Sequence, residues 1–102
     1  MPELVDFYAD KHGVDKTIMN AVVKCESNYN PKAVNMQDSH KLSNGSWGIA
    51  QFSKETFTSY AKKMGEDYTD PMNPREALDV MSYMLSNGLG NHWTCFRALN
   101  RV

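Results

Sequence analysis

The stretch DKTIMNAVVKCESNYNP, residues 15–31, decides the fold, because it has the pattern of a helix with a defined start and end. Asp15 is a residue type that caps helices, and apolar residues recur after it at steps of three and four. The helix should end near Ser27, because the residue before Pro31 avoids the helical region. The sequence therefore predicts a helix followed directly by a turn.

Glu26 lies at the end of this predicted helix. It follows Val22 by four positions and Ile18 by eight, so its carboxyl group should project from the face that packs inward. Burial and the partly negative C-terminal end of the helix would both raise the pKa of Glu26. A raised pKa suits a general acid, as in glycosidases. On position alone, the alternative is a solvent-exposed glutamate at a frayed helix end, which is the commoner case.

The stretch GSWGIAQF, residues 45–52, adds the groups that a sugar-binding loop needs. Its glycines permit a close backbone approach, and Gln51 offers both a hydrogen-bond donor and an acceptor. Trp47, Phe52 and Tyr29 are candidates for stacking against the C–H surfaces of N-acetyl hexoses. Taken alone, Trp47 and Phe52 are better explained as core residues, and the glycines as turn residues.

Together these motifs resemble the catalytic core of the lytic transglycosylases of the soluble-lytic-transglycosylase (SLT) type, which are related to goose-type lysozyme. The matching elements are ES-x-Y-NP-x-A at 26–33, S-x-G-I-x-QF at 46–52 and the helix-like DPMNPREALDVMSYML at 70–85. The resemblance implies a lysozyme-like fold that acts on peptidoglycan glycan strands. It further implies cleavage of the β-1,4 bond between N-acetylmuramic acid and N-acetylglucosamine, with a 1,6-anhydro product.

The resemblance also implies roles for single residues. Glu26 is the one catalytic acid and base, Ser27 orients it, and Tyr83 is the tyrosine that faces it. The substrate-binding positions are Ser27, Ser46, Gly48, Gln51 and Tyr83. The family's late Y-N-A-G motif is absent, and NGLGNHW at 87–93 occupies that region, which leaves the role of Tyr83 open.

Asp38 is a candidate second carboxylate in the polar stretch NMQDSHKLSNG, residues 35–45. It would position a water molecule, as in goose-type lysozymes, and the enzyme would then be a hydrolase. The alternative, a solvent-exposed loop aspartate, is commoner. A third reading is a non-catalytic glycan-binding or structural module of a phage or a secretion apparatus. The intact pair of Glu26 and Ser27 argues against that reading, because a pure binder needs no desolvated acid.

The two cysteines, Cys25 and Cys95, are candidates for a disulfide. Resemblance to the resuscitation-promoting factors implies such a bridge, because their catalytic glutamate also follows a cysteine. Closing so long a loop would contribute about 4 kcal/mol to stability in the chain-entropy model. The alternative is a pair of buried thiols in a reducing compartment.

The length and charge of the chain limit the remaining choices. Its 102 residues fit one domain over 1–102. The net charge of −1 shows no excess of basic residues that would indicate nucleic-acid binding. The three histidines, His12, His40 and His92, lack metal-ligand spacing, so we expect neither a metal nor a cofactor. No apolar run would form a signal peptide or a membrane span. We therefore expect a monomer that acts in the cell wall, periplasm or extracellular space, or from a phage virion.

Four or five helices account for the pattern, so the fold class is all-α, and the resemblance implies that they form a single small lysozyme-like domain. Pro2 to Lys11 forms the first helix, and Ser53 caps a third that ends at Gly65. Asn73 caps a fourth, which is apolar nearly all round and should be the central helix of the core. A short helix through Trp93 to Leu99 follows, and no segment alternates strongly enough to predict a sheet.

Overall fold

The computed structural model describes residues 2–36 and 45–99, and in these ranges the chain is mainly helical, as predicted. Five α-helices and one 3-10 turn pack around a single cluster of buried apolar side chains. The elements in chain order are α1 (Pro2–His12), α2 (Lys16–Ser27), β1 (Val34–Asn35), β2 (Ser46–Trp47), α3 (Lys54–Lys63), α4 (Pro74–Ser86), the 3-10 turn (Gly90–His92) and α5 (Thr94–Leu99).

The helices begin where the sequence predicts N-caps. The side chains of Asp15, Ser53 and Asn73 each accept a hydrogen bond from a backbone N–H in the first turn of α2, α3 and α4. These bonds satisfy N–H groups that have no partner inside the helix. Helix α2 ends at Asn28, whose φ of 53° is left-handed, a conformation that asparagine tolerates. The predicted caps are therefore confirmed.

The inward face of α2 differs slightly from the predicted one. Its buried residues are Met19, Val22 and Val23, whereas Ile18 is 39% exposed. The prediction that Ile18 lies on the inward stripe is therefore wrong, because the buried face of α2 runs through Met19, Val22 and Val23. Glu26 follows these two residues by four and three positions, so it stays on the inward side and is partly buried.

A small antiparallel sheet joins β1 to β2 and corrects the expectation that no strand would form. Val34 pairs with Trp47, and Asn35 pairs with Ser46. Two-residue strands are too short to show an alternating pattern of apolar and polar residues, so sequence periodicity gives no signal for them. The sheet matters for the site, because β2 leads directly into the Gly-rich loop.

Helix α4 is the central helix of the core, as predicted, and packs against α1 and α3. It also buries a carboxylate that the apolar pattern did not predict. The side chain of Asp79 is 1% exposed and accepts hydrogen bonds from three groups. Lys11 Nζ lies 3.1 and 3.0 Å from its two oxygens, His12 Nε2 lies 2.7 Å from Oδ1, and Tyr68 Oη lies 2.6 Å from Oδ2. Asp79 therefore joins α1, α4 and the segment between α3 and α4.

The partners of Asp79 determine its protonation. Burial, the largest single effect, would raise the pKa of Asp79, but the hydrogen bonds from Tyr68, His12 and Lys11 together outweigh it and lower the pKa. The unfolded chain therefore binds a proton at Asp79 more readily than the folded protein does. The stabilisation is complete above the ordinary pKa of 3.8 and is lost as the pH falls through the lower folded value.

We predict that Asp79→Asn lowers the free energy of unfolding by roughly 2–3 kcal/mol at pH 7, because three donors lose a charged acceptor. The difference from the wild type should shrink as the pH falls below 3.8. Urea denaturation followed by circular dichroism at several pH values measures both effects.

Asp10→Asn is the matched control, because Asp10 is exposed and its Oδ2 lies 3.1 Å from Lys16 Nζ in a surface ion pair. This substitution should change the free energy of unfolding by no more than about 0.5 kcal/mol. Equal effects of the two substitutions would contradict a structural role for the buried carboxylate.

Candidate active site

The Gly-rich loop between β2 and α3 is a closed turn. The backbones of Trp47 and Phe52 exchange two hydrogen bonds of 2.9 and 3.1 Å, so the four residues between them form the tip. The N–H of Gln51 donates to the carbonyl oxygen of Gly48 at 3.1 Å, and the Gln51 side-chain amide donates to the same oxygen at 2.8 Å. The backbone of Gln51 has a φ of 52°. Its side chain folds back onto the same turn and stabilises it.

Two other segments hold the next two carbonyl groups of the tip. The Ser27 hydroxyl at the end of α2 donates to the Ile49 carbonyl oxygen at 2.6 Å. The indole N–H of Trp93, which is 4% exposed, donates to the Ala50 carbonyl oxygen at 2.8 Å. A buried carbonyl group without a donor is unfavourable, so these bonds fix the path of the loop. They also join the loop to the two chain segments that contain Glu26 and Cys95.

Gly48 is required at its position for two reasons. Its φ is +81°, and a Cβ atom there would meet the carbonyl oxygen of Pro71, which precedes α4. Its N–H donates to the Ala33 carbonyl oxygen at 2.7 Å, and that oxygen also accepts from the Gln51 side chain at 3.2 Å. The loop therefore packs closely between the turn after α2 and the start of α4.

Glu26 contacts the first turn of α5. Its Oε2 accepts a hydrogen bond of 3.2 Å from the backbone N–H of Cys95. The preceding residue, Cys25, is joined to Cys95 by a disulfide, with the two Cα atoms 6.1 Å apart. This is the pairing that the resemblance implied. The backbone N–H of Cys95 is a part of the site that sequence reasoning missed, because a backbone group leaves no signal in the residue types.

The other residues with implied roles occupy different places. Ser27 binds the loop carbonyl described above and also donates to the Val23 carbonyl oxygen at 3.2 Å. Ser46 is buried in β2. Tyr83 lies on α4 with its ring against that of His12, the centroids 6.2 Å apart, and its role facing the glutamate stays a prediction. Asp38 falls outside the described residues.

The aromatic candidates separate into core and surface. Phe52 is 3% exposed and packs against Phe57 and Trp93, so its assignment to the core is confirmed. Trp47 is partly exposed, and Lys54 Nζ lies 5.2 Å from the centroid of its ring. The hydroxyl of Tyr29 donates to the Asn20 side-chain oxygen at 2.9 Å. Trp47 is therefore the aromatic residue of the loop that a ligand could reach.

The described residues contain neither a cluster of metal ligands nor a helix that could span a membrane. In residues 2–36 and 45–99, no three His, Cys, Asp or Glu side chains lie close enough together to hold a metal ion. Within the same ranges, no helix has both the length and the apolar character to cross a membrane.

The chain matches a known protein family. A family model described as "Transglycosylase SLT domain" matches residues 3–100, which is nearly the whole chain. No curated protein and no solved structure matches the chain significantly. The matched range contains every element from α1 to α5 except Pro2, the first residue of α1.

We predict that Gly48→Ala destabilises the protein by about 2–4 kcal/mol, because the added Cβ would overlap the Pro71 carbonyl oxygen in an already tight contact. Gly65→Ala is the matched control. Its φ is +83°, but a Cβ there would meet no atom of the described residues within 4 Å. It should lose only the conformational part, about 1 kcal/mol. Chemical denaturation of both variants measures the difference, and equal losses would show that Pro71 does not exclude a side chain.

Proposed function

This chain belongs to the transglycosylase SLT domain family, and we propose that it cleaves the bond between N-acetylmuramic acid and N-acetylglucosamine to give a 1,6-anhydro product. The family consists of peptidoglycan lytic transglycosylases with a lysozyme-like, mainly helical domain. The observation that carries the finer proposal is the setting of Glu26. Its carboxyl group is partly buried at a helix end, held by a backbone N–H, and next to a residue that binds the Gly-rich loop.

In the proposed mechanism, Glu26 first acts as the general acid. It protonates the glycosidic oxygen, and the substrate's own acetamido group stabilises the oxocarbenium-like centre. Glu26 is then a carboxylate and takes the proton from the 6-hydroxyl group of the muramic acid. That hydroxyl attacks the anomeric carbon and closes the anhydro ring without consuming water. Because the attack is intramolecular, it gains a large effective concentration over water.

The loop would bind the N-acetyl sugar through its polar groups. Both N–H groups of the Gln51 side-chain amide donate to protein carbonyls, of Gly48 and Ala33. The group that Gln51 can offer a sugar is therefore its amide oxygen, which would accept the N–H of an acetamido group. Trp47, partly exposed next to Gly48, would provide a face for the sugar's C–H surface.

The disulfide supports a place of action outside a reducing cytosol. Disulfides persist in oxidising compartments, and this one joins both cysteines of the chain. We propose that the protein acts as a monomer on glycan strands in the cell wall, periplasm or extracellular space, or from a phage particle.

We predict that Glu26→Gln lowers glycan cleavage at least 100-fold, because the amide keeps the shape but cannot donate the catalytic proton. Clearing of purified peptidoglycan measures the rate, and circular dichroism checks that the variant is folded. Glu55→Gln is the control, because Glu55 is an exposed residue of the first turn of α3. Cleavage by folded Glu26→Gln at the wild-type rate would remove Glu26 from the mechanism.

The second prediction separates the transglycosylase from a goose-type hydrolase. Mass spectrometry of released muropeptides should find products lighter than the hydrolytic ones by one water and without a reducing end. Asp38→Asn should keep most of the activity, because an intramolecular attack needs no carboxylate to hold water. Reducing-end products together with an inactive Asp38→Asn variant would instead establish hydrolysis with Asp38 as the second carboxylate.

A further inference from the structure

The two tryptophans next to the Gly-rich loop differ in how their rings are held. The indole N–H of Trp93 donates to the Ala50 carbonyl oxygen, whereas Nε1 of Trp47 is buried and has no acceptor in residues 2–36 and 45–99. Trp47 is nevertheless partly exposed, so the indole nitrogen is not part of the surface that a ligand would meet. That surface is apolar, which suits contact with the C–H groups of a sugar.

Lys54 lies over this ring because the loop closes on itself. The backbone hydrogen bonds between Trp47 and Phe52 hold the two ends of the loop together, and Ser53 caps α3 directly after them. Lys54 is the first residue of α3, and its Nζ lies over the Trp47 ring, 5.2 Å from the centroid. The fold therefore places an ammonium group at the one aromatic ring of the loop that a ligand could reach.

The charge of Lys54 has no anionic partner in the described part of the chain. The ion pairs found within residues 2–36 and 45–99 involve other cations. The start of a helix is also an unfavourable place for a lysine, because this end of the helix already carries partial positive charge. The ammonium group and the helix end add to each other, so the surroundings of Trp47 favour an anion.

From this geometry we propose that Trp47 and Lys54 form one subsite, which binds a muramic acid residue of the glycan strand through a carboxylate and selects it over uncharged N-acetylglucosamine. The sugar contacts the indole ring, and the ammonium group pairs with the carboxylate. This inference rests on the proposed function, because it takes the glycan strand as the ligand. The carboxylate has two possible sources, namely the lactyl group of a muramic acid without a peptide and the amino acids of a stem peptide.

The selection follows from what each ligand replaces. A sugar that contacts the Trp47 ring displaces the ammonium group and breaks a cation–π contact, which is weak at an exposed site. A muramic acid residue replaces this contact with an ion pair, whereas N-acetylglucosamine offers only neutral groups. Lys54 is exposed and has a flexible stem, so its ammonium group can move without any change in the backbone. The lysine therefore favours the anionic sugar and disfavours the neutral one.

The first experiment measures binding by calorimetry in the Glu26→Gln variant, which should leave the ligands intact. Three tetrasaccharides of alternating N-acetylglucosamine and N-acetylmuramic acid are compared: one with free lactyl carboxylates, one with these converted to methylamides, and one with stem peptides. We expect at least one of the anionic strands to bind about three- to tenfold more tightly than the methylamide. Adding Lys54→Met should weaken binding of that strand, strengthen binding of the methylamide and reduce the ratio of the two affinities to nearly one.

Lys63→Met is the matched control. Lys63 is the last residue of α3, about 13 Å along the helix from Lys54, and its Nζ lies 4.6 Å from the centroid of the Tyr60 ring. This substitution therefore also removes one charge and one cation–π contact from the same helix. It should leave the ratio of the affinities unchanged.

A second measurement tests the ring without altering it. In the Glu26→Gln variant, the indole N–H resonance of Trp47 should shift when the preferred strand binds, because a sugar against the ring changes its surroundings. A resonance that stays in place at saturating ligand would contradict the contact with Trp47.

The outcomes separate the two sources of the carboxylate and the two proposals. Preference for the free lactyl carboxylates assigns the anion to the lactyl group, and preference for the peptide-bearing strand alone assigns it to the stem. Equal affinities for anionic and neutral strands, or equal effects of Lys54→Met and Lys63→Met, would overturn the subsite. A wild type that binds with this selectivity but cleaves no glycan would overturn the proposed reaction and leave the subsite supported.

Discussion

Three successive carbonyl groups at the tip of the Gly-rich loop each accept a hydrogen bond from a side chain, and the rest of the site depends on these bonds. Gln51 holds the first, Ser27 of α2 the second and Trp93 the third. A tight turn buried among helices cannot satisfy its carbonyls by pairing with a neighbouring strand, so donors must come from elsewhere in the fold. Gln51 belongs to the loop itself, whereas Ser27 and Trp93 come from the two segments that contain Glu26 and Cys95. The bonds that position the loop therefore also connect it to the segment that contains Glu26.

A second set of hydrogen bonds, to the carboxylate of Asp79, also joins separate elements of the fold. Asp79, buried on α4, receives donors from α1 and from the segment that leads to α4. The carboxylate has strong partners, and its pKa is lowered although burial opposes this. The neighbouring His12 also packs against Tyr83. The buried ion pair therefore fixes α1 against the central helix, while the loop bonds fix α2 and the C-terminal segment against the turn.

The sequence predicts the helices and their caps better than it predicts the contacts between elements. Capping residues and apolar spacing are local properties, so the starts of α2, α3 and α4 follow from Asp15, Ser53 and Asn73. The short sheet, the burial of Asp79 and the exposure of Ile18 depend on which face meets which neighbour, and periodicity does not contain that information. The sequence does indicate that the Trp93 indole forms a hydrogen bond, since a buried tryptophan N–H usually finds an acceptor. It does not indicate which acceptor, because the acceptor is an alanine carbonyl 43 residues away.

The disulfide also determines what happens to the protein when its backbone is cut once. Its two cysteines are 70 residues apart, so the bond closes a covalent ring that contains the Gly-rich loop, α3 and α4. A single proteolytic cut anywhere inside this ring opens it but separates no part of the site from any other. The two fragments of the cut chain remain covalently joined. They can separate only if a reductant also breaks the disulfide. The ring therefore gives the protein a tolerance to a single backbone cut that the packing of its helices alone would not provide.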